Sequence, residues 1–194
     1  MAVRSFVDKL QRNAEFKRKV RECEFIAFES EKSEDYSIAG KFWCKAAVKR
    51  SRKKDLKNAE KAFKKAVENF ERVKGSYAKH DAGVTSRMLG DCYRKAGKFE
   101  EAITAYGKAA EYISKAEYPR WRVLYGDALR RKAEVLGHLE IGRFEEAVEA
   151  YEKALESFKA AKVSAFATDK IRKKIIALKN YAGVLEKLTP LKKE

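Results

Sequence analysis

Apolar residues recur along this chain at helical spacing, and the polar residues between them mark where one helix stops and the next begins. Phe6, Val7, Leu10, Ala14, Phe16, Val20, Cys23, Ile26 and Ala27 predict an amphipathic helix over residues 3–30, with a break from Ser30 to Ser33. Met88, Leu89, Cys92, Tyr93 and Ala96 line one side of a helix that ends at Gly97, where a positive φ is cheap. The following helix opens with Glu100 and Glu101, whose charges suit a helix N-terminus. It buries Ala102, Ile103, Tyr106, Ala109 and Ala110, the alanines at 102 and 109 permitting close approach while Tyr106 fills the space between layers. Pro119 suits the first turn of a helix containing Trp121. Thr168 and Asp169 are placed to cap a last helix presenting Ile171, Ile175, Leu178, Tyr181, Ala182 and Leu185, which Pro190 ends. The pattern predicts an all-α chain of antiparallel helix pairs.

The pattern also repeats in its residues. Gly97-Lys98-Phe99-Glu100-Glu101-Ala102-Ile103-Thr104-Ala105-Tyr106 returns as Gly142-Arg143-Phe144-Glu145-Glu146-Ala147-Val148-Glu149-Ala150-Tyr151, with Lys-Ala following at 108–109 and 153–154. Such self-similarity predicts stacked copies of one small unit. A degenerate copy lies upstream in Trp43, Ala46, Ala47, Leu56, Ala59, Phe63 and Ala66, with Lys54 in the place of the turn glycine. The alanine that begins each second helix falls at 59, 102 and 147, intervals of 43 and 45 residues. With no Gly/Ser-rich or Pro-rich linker, the chain reads as one repeat domain. It comprises an N-terminal helix (1–32), a degenerate first repeat (33–78), a second (79–117), a third (118–163) and a C-terminal capping helix (164–194).

Leu89, Gly90, Tyr93, Gly97, Phe99, Ala102, Tyr106 and Ala109 together resemble the tetratricopeptide repeat (TPR), as do Phe144, Ala147, Tyr151 and Ala154. The resemblance covers roughly residues 40–162 and implies a right-handed α-solenoid of about three helix pairs with flanking helices. The period exceeds the family's usual 34 residues. Additional residues at 74–82 and 112–122 read as helices lengthened by about two turns, similar to those of SNAP-type vesicle-fusion adaptors. In the family the first helices of successive pairs line a concave face. The resemblance then implies exposed side chains there from Lys41, Lys45 and Arg52, from Arg87, Asp91, Arg94 and Lys95, and from Arg131 and Lys132. Most are cationic, which favours an acidic peptide or a C-terminal carboxylate. Reversal of Arg87, Arg94 and Arg131 to Glu is expected to abolish capture without lowering thermal stability. Members that bind chaperone tails use a Lys and Asn clamp; the matching places carry Cys44 and Val48, then Arg87 and Asp91, so chaperone-tail binding is not expected.

Charge opens a second reading. The net charge of +16 is uneven. Between residues 45 and 65, ten Lys and Arg face only Asp55 and Glu60, and residues 159–179 hold seven cations against Asp169. Lys49, Arg50, Arg52, Lys53, Lys54 and Lys57 gather where one helix ends and the next starts, which suits RNA or ribosome association through phosphates. Against it, Trp43, Phe63 and Phe70 fall on the apolar stripe rather than among the cations. A single Gln and four Asn beside abundant Lys and Glu fit a heat-loving source, for which a lysine-rich surface needs no partner.

Other chemistry is not indicated. His80 and His138 have no companion ligands at metal spacing, and no phosphate-cradling loop or nucleophile elbow occurs. Glu100-Glu101 and Glu145-Glu146 are explained by their first-turn positions. The expectation is therefore a non-enzymatic protein without cofactor or metal. Cys23, Cys44 and Cys92 form no Cys-x-x-Cys pair and read as small apolar residues in a reducing compartment. No signal-peptide core or run of about 20 apolar residues is present. A cytoplasmic chain without membrane insertion is expected.

Overall fold

Every regular element among the described residues is an α-helix, as the periodicity predicts. A computed structural model describes residues 2–115, 121–139 and 143–188, with side chains outside the description at 2–9, 139, 167 and 184–188. Pro119, Gly142 and Pro190, and the side chains of Phe6, Val7 and Leu185, on which sequence expectations rest, fall outside it. The helices are α1 (Ala2–Lys32), α2 (Tyr36–Arg52), α3 (Leu56–Arg72), α4 (Ser76–Lys95), α5 (Phe99–Ser114), α6 (Arg122–Leu139), α7 (Phe144–Ala160) and α8 (Ala165–Leu188). The additional residues of the long period lie partly inside helices: 76–82 form the opening turns of α4, and 112–114 close α5. The chain forms two compact units, residues 1–78 and 79–194, dividing between the first and second expected repeats.

One turn design recurs. Glu34, Lys54, Gly97 and Lys162 adopt left-handed φ values of 58°, 62°, 74° and 54°. At each, the next residue's N–H reaches back to a carbonyl five positions earlier, as in Asp55 to Arg50 at 3.1 Å and Lys98 to Tyr93 at 3.0 Å. The left-handed residue itself donates to the carbonyl three positions back, satisfying helix-end acceptors in a Schellman pattern. Lys54 thus holds the conformation that Gly97 supplies in the next repeat, as its alignment predicts. Asp35 then starts α2 by accepting from the Ile38 N–H at 3.1 Å. Thr168 and Asp169 do not cap α8. The helix begins at Ala165, and the Thr168 hydroxyl donates back to the Ala165 carbonyl from within the first turn.

A second recurrence sets how closely the helices pack. Gly40, Gly83 and Gly126 lie 43 residues apart, and each faces a bulky side chain on the second helix of its pair. A Cβ would come within 2.8 Å of Phe70 at Gly40, 2.5 Å of Ile113 at Gly83 and 2.9 Å of Phe158 at Gly126. Gly90 meets the Tyr106 ring in the same way. Hydrogen at these positions lets the rings lie against the helix backbone.

In the first unit α2 packs between α1 and α3. α1 buries Val20, Cys23 and Ala27 as its pattern predicts, but Ile26 is exposed, as are Phe25 and Phe28. The Glu31 carboxylate accepts from Trp43 Nε1 at 2.8 Å and Asn69 Nδ2 at 2.6 Å, joining three helices. In the second unit α5 packs on α6, α6 on α7 and α7 on α8. Ala109, Ala128, Ala133, Tyr151, Ala154, Phe158, Ile171 and Ile175 belong to one core cluster there. Tyr181, expected on the buried stripe of α8, is exposed.

Candidate functional site

The first helices of the second unit bring charge together. α4 presents Arg87 and Asp91 one turn apart, α6 presents Asp127, Arg130, Arg131 and Glu134, and α8 presents Lys170 and Lys174. Tyr106, on α5 with its ring fully buried, donates its hydroxyl to Asp91 Oδ1 at 2.7 Å. Arg131 Nη1 donates to the same oxygen at 2.7 Å and turns its Nε to Asp127 Oδ2 at 2.9 Å. Arg130 spans Asp127 and Glu134, both at 2.6 Å. Lys174 Nζ reaches Glu134 at 3.1 Å and the Tyr151 hydroxyl at 3.3 Å. Arg87 Nη1 lies 3.6 Å from both Asp91 and Asp127, and its Nε is buried without a hydrogen-bond partner.

This ladder is itself repeated. Asp91, Tyr106 and Arg131 correspond to Glu134, Tyr151 and Lys174 one period later: an acid, a buried tyrosine, and a cation from the next first helix. The same places one period earlier hold Val48 and Phe63, so the device is absent from the degenerate repeat.

The electrostatics follow from this half-buried geometry. Burial disfavours ionised Asp127, but hydrogen bonds from Arg130 and Arg131 outweigh it and hold the carboxyl below its usual range. Burial, reinforced by Asp91, pushes the Tyr106 hydroxyl well above its ordinary value and keeps it a neutral donor. Arg131 and Lys174 lose solvation, yet their acidic partners and tyrosines hold both more firmly protonated than usual.

A cleft of about 590 Å³ opens beside the ladder. Arg87, Asp127, Arg130, Glu134, Lys170 and Lys174 form its polar side. Val123, Leu124, Phe158, Val163, Phe166 and Ile171 form its apolar side, and Phe166 is 89% exposed. A second cavity of about 490 Å³ holds Arg94, Phe99, Glu134, Val135, His138 and Lys174, so the Glu134–Lys174 pair borders both.

The expected partner-binding residues divide into two kinds. Lys41, Lys45, Arg52, Arg94 and Lys95 are exposed. Arg87, Asp91, Arg131 and Lys132 are not; all four are half-buried, and the first three are held in the ladder. Asp91 and Asp127 neutralise these arginines both along one helix at i,i+4 and across to the next first helix, and only the second set of contacts needs the tertiary structure. Reversing Arg87 and Arg131 would therefore break internal structure as well as any binding face. The repeated interval from Asp91 to Glu134 and from Arg131 to Lys174 was the available signal.

In the first unit, Arg50 is removed from the candidate nucleic-acid set. It is half-buried and bound to Glu24 at 2.6 Å and Asp55 at 2.9 Å. Lys49 is half-buried, and Arg52, Lys53, Lys54 and Lys57 are exposed, with Lys53 5.5 Å from the Phe16 ring. The C-terminal basic segment is more fully paired: Lys173, Lys174 and Lys179 meet Asp169, Glu134 and Glu152.

His80 Nδ1 lies 3.0 Å from Asp81 Oδ1, and its ring stacks on Trp121 at 4.8 Å. Among the described residues no group of three or more His, Cys, Asp or Glu side chains is arranged to hold a metal, and no helix is long and apolar enough to cross a membrane.

The tetratricopeptide repeat matches this chain over residues 37–115 and again over residues 138–160. No curated protein matches it in sequence. Among solved structures it is similar to TPR-like repeats assigned to a kinesin light chain of Podosopora anserina. That match has a TM-score of 0.55 at 13% identity and covers 90% of this chain and 92% of the other. A point variant of the same repeats gives 0.56 at 14% identity, covering 90% and 91%. At such identity the likeness establishes the fold: an all-α helical repeat of the TPR-like solenoid class.

Proposed function

This chain belongs to the tetratricopeptide-repeat family, whose members are generally interaction scaffolds, and we propose that it is a non-enzymatic adaptor holding a segment of a partner protein against α4, α6 and α8. The carrying observation is the cleft lined both by exposed Phe166 with other apolar side chains and by charges of the ladder. The ladder is tied internally, so little side-chain freedom is lost when a partner docks, and binding energy is not spent on ordering the surface. Exposed Lys170 and Phe166 at the cleft support an acidic segment carrying a bulky apolar anchor. Cys23, Cys44 and Cys92 are not disulfide-bonded, which supports a reducing, cytoplasmic setting.

The test is capture from native lysate on immobilised protein, with mass spectrometry, comparing wild type with Phe166→Ala and Lys170→Glu. Both side chains reach the cleft from exposed positions, so neither change should alter thermal stability. A partner recovered on wild type and reduced at least about tenfold on each variant supports the reading. Equal recovery on all three overturns it.

A further inference from the structure

We infer that the α2–α3 hairpin binds the phosphate backbone of nucleic acid without regard to base sequence, a role separate from the adaptor face. The excess charge of the first unit is confined to this hairpin. Residues 41–65 carry eleven cationic side chains and two acidic ones, whereas the remainder of residues 1–78 carries ten of each sign. A lysine-rich composition would spread its excess, and this unit does not. Both acids of residues 41–65 already have counterions: Asp55 is held by Arg50 and Glu60 by Lys64. Nine cations remain, of which Lys45 and Lys65 lie over the Phe42 and Trp43 rings, while Lys49, Arg52, Lys53, Lys54, Lys57 and Lys61 flank the turn, and among the described residues none of these six has a carboxylate within ion-pair distance.

These six lie within two helical turns on either side of the reversal at Lys54, so their charges converge on one end of the hairpin. Like charges held this close repel one another, and a polyanion relieves that repulsion while releasing its own counterions. Trp43, Phe63 and Phe70 are buried beneath this surface and cannot stack on bases. The exposed lysines and arginine are suited to backbone charge.

The experiment uses the full chain with a labelled 20-base-pair RNA duplex and a DNA duplex of the same mixed sequence, followed by fluorescence anisotropy between 50 and 200 mM KCl. Six phosphate contacts give a log–log salt slope near −0.9 per contact, an affinity loss of about a thousandfold across that range. Lys54→Gly should flatten the slope by about one contact while leaving the melting temperature equal or higher, which separates lost binding from lost folding. Lys49→Gln/Lys57→Gln/Lys61→Gln should flatten it by about three contacts, and Phe166→Ala should leave it unchanged. Binding of either duplex with these changes supports the inference. Absence of binding at 50 mM, or an unchanged slope in the triple variant, overturns it. So does displacement of the duplex by poly-glutamate of equal charge as readily as by unlabelled duplex, which would assign the surface to acidic protein.

Discussion

Tyr106→Phe removes one oxygen from the charge ladder and nothing else. The ring is fully buried against Gly90 and stays in place, so the change isolates the 2.7 Å hydrogen bond to Asp91. A hydrogen bond to a charged group is worth about 1.5–3 kcal/mol. Asp91 retains Arg131 at 2.7 Å and Arg87 at 3.6 Å, which places the loss near the lower end, about 1.5 kcal/mol. For a chain of this length that is a fall in melting temperature of about 3–6 °C. Arg131→Met removes the second donor to the same Asp91 oxygen, and its partner Asp127 keeps Arg130. Combining the two leaves a half-buried carboxylate that keeps, among the described residues, Arg87 at 3.6 Å, so the double variant should lose about 1 kcal/mol or more beyond the sum of the singles. Urea denaturation of all four proteins, followed by circular dichroism, measures that coupling. Additivity within about 0.5 kcal/mol would show that the ladder is a set of independent surface pairs, and would refute the view that Arg131 is internal structure.

Gly90→Ala should destabilise the fold, because its Cβ would sit 2.6 Å from the Tyr106 ring; overpacking of about 1–3 kcal/mol exceeds a helix gain of about 1 kcal/mol. Gly107→Ala, with nothing within 4 Å, should stabilise by about 0.5–1 kcal/mol in the same denaturation assay. Lys162→Gly relieves a left-handed φ of 54° and should raise stability by about 0.5–1 kcal/mol; a fall would count against strain at that turn. The Asp127 carboxyl is held below its usual range, so its stabilising contribution is present above the unfolded value and is lost as pH falls through the folded one. Melting temperatures should therefore drop below about pH 4, and Asp127→Asn should flatten that acid limb.

Side-chain spacing along the chain determined the helices, because burial of one face at intervals of three and four is written locally. Ala59, Ala102 and Ala147 are each fully buried, and Lys54 takes the left-handed turn that its alignment with Gly97 assigns. The repeat register was equally legible, down to glycines 40, 83 and 126 at a constant interval. What the sequence left undetermined was the state of its charges. A helical pattern says which face a side chain occupies, but not which residue some 25–45 positions away meets it. Arg131 and Arg52 look alike in the sequence. One is locked between Asp127 on its own helix and Asp91 on α4, the other stands in solvent, and the Asp91 contact exists only because α6 docks beside α4. Coulomb attraction and desolvation depend on distances of a few ångströms and on local burial. Those quantities exist once the helices have docked, so the tertiary structure decided which cations brace the fold and which remain to meet a partner.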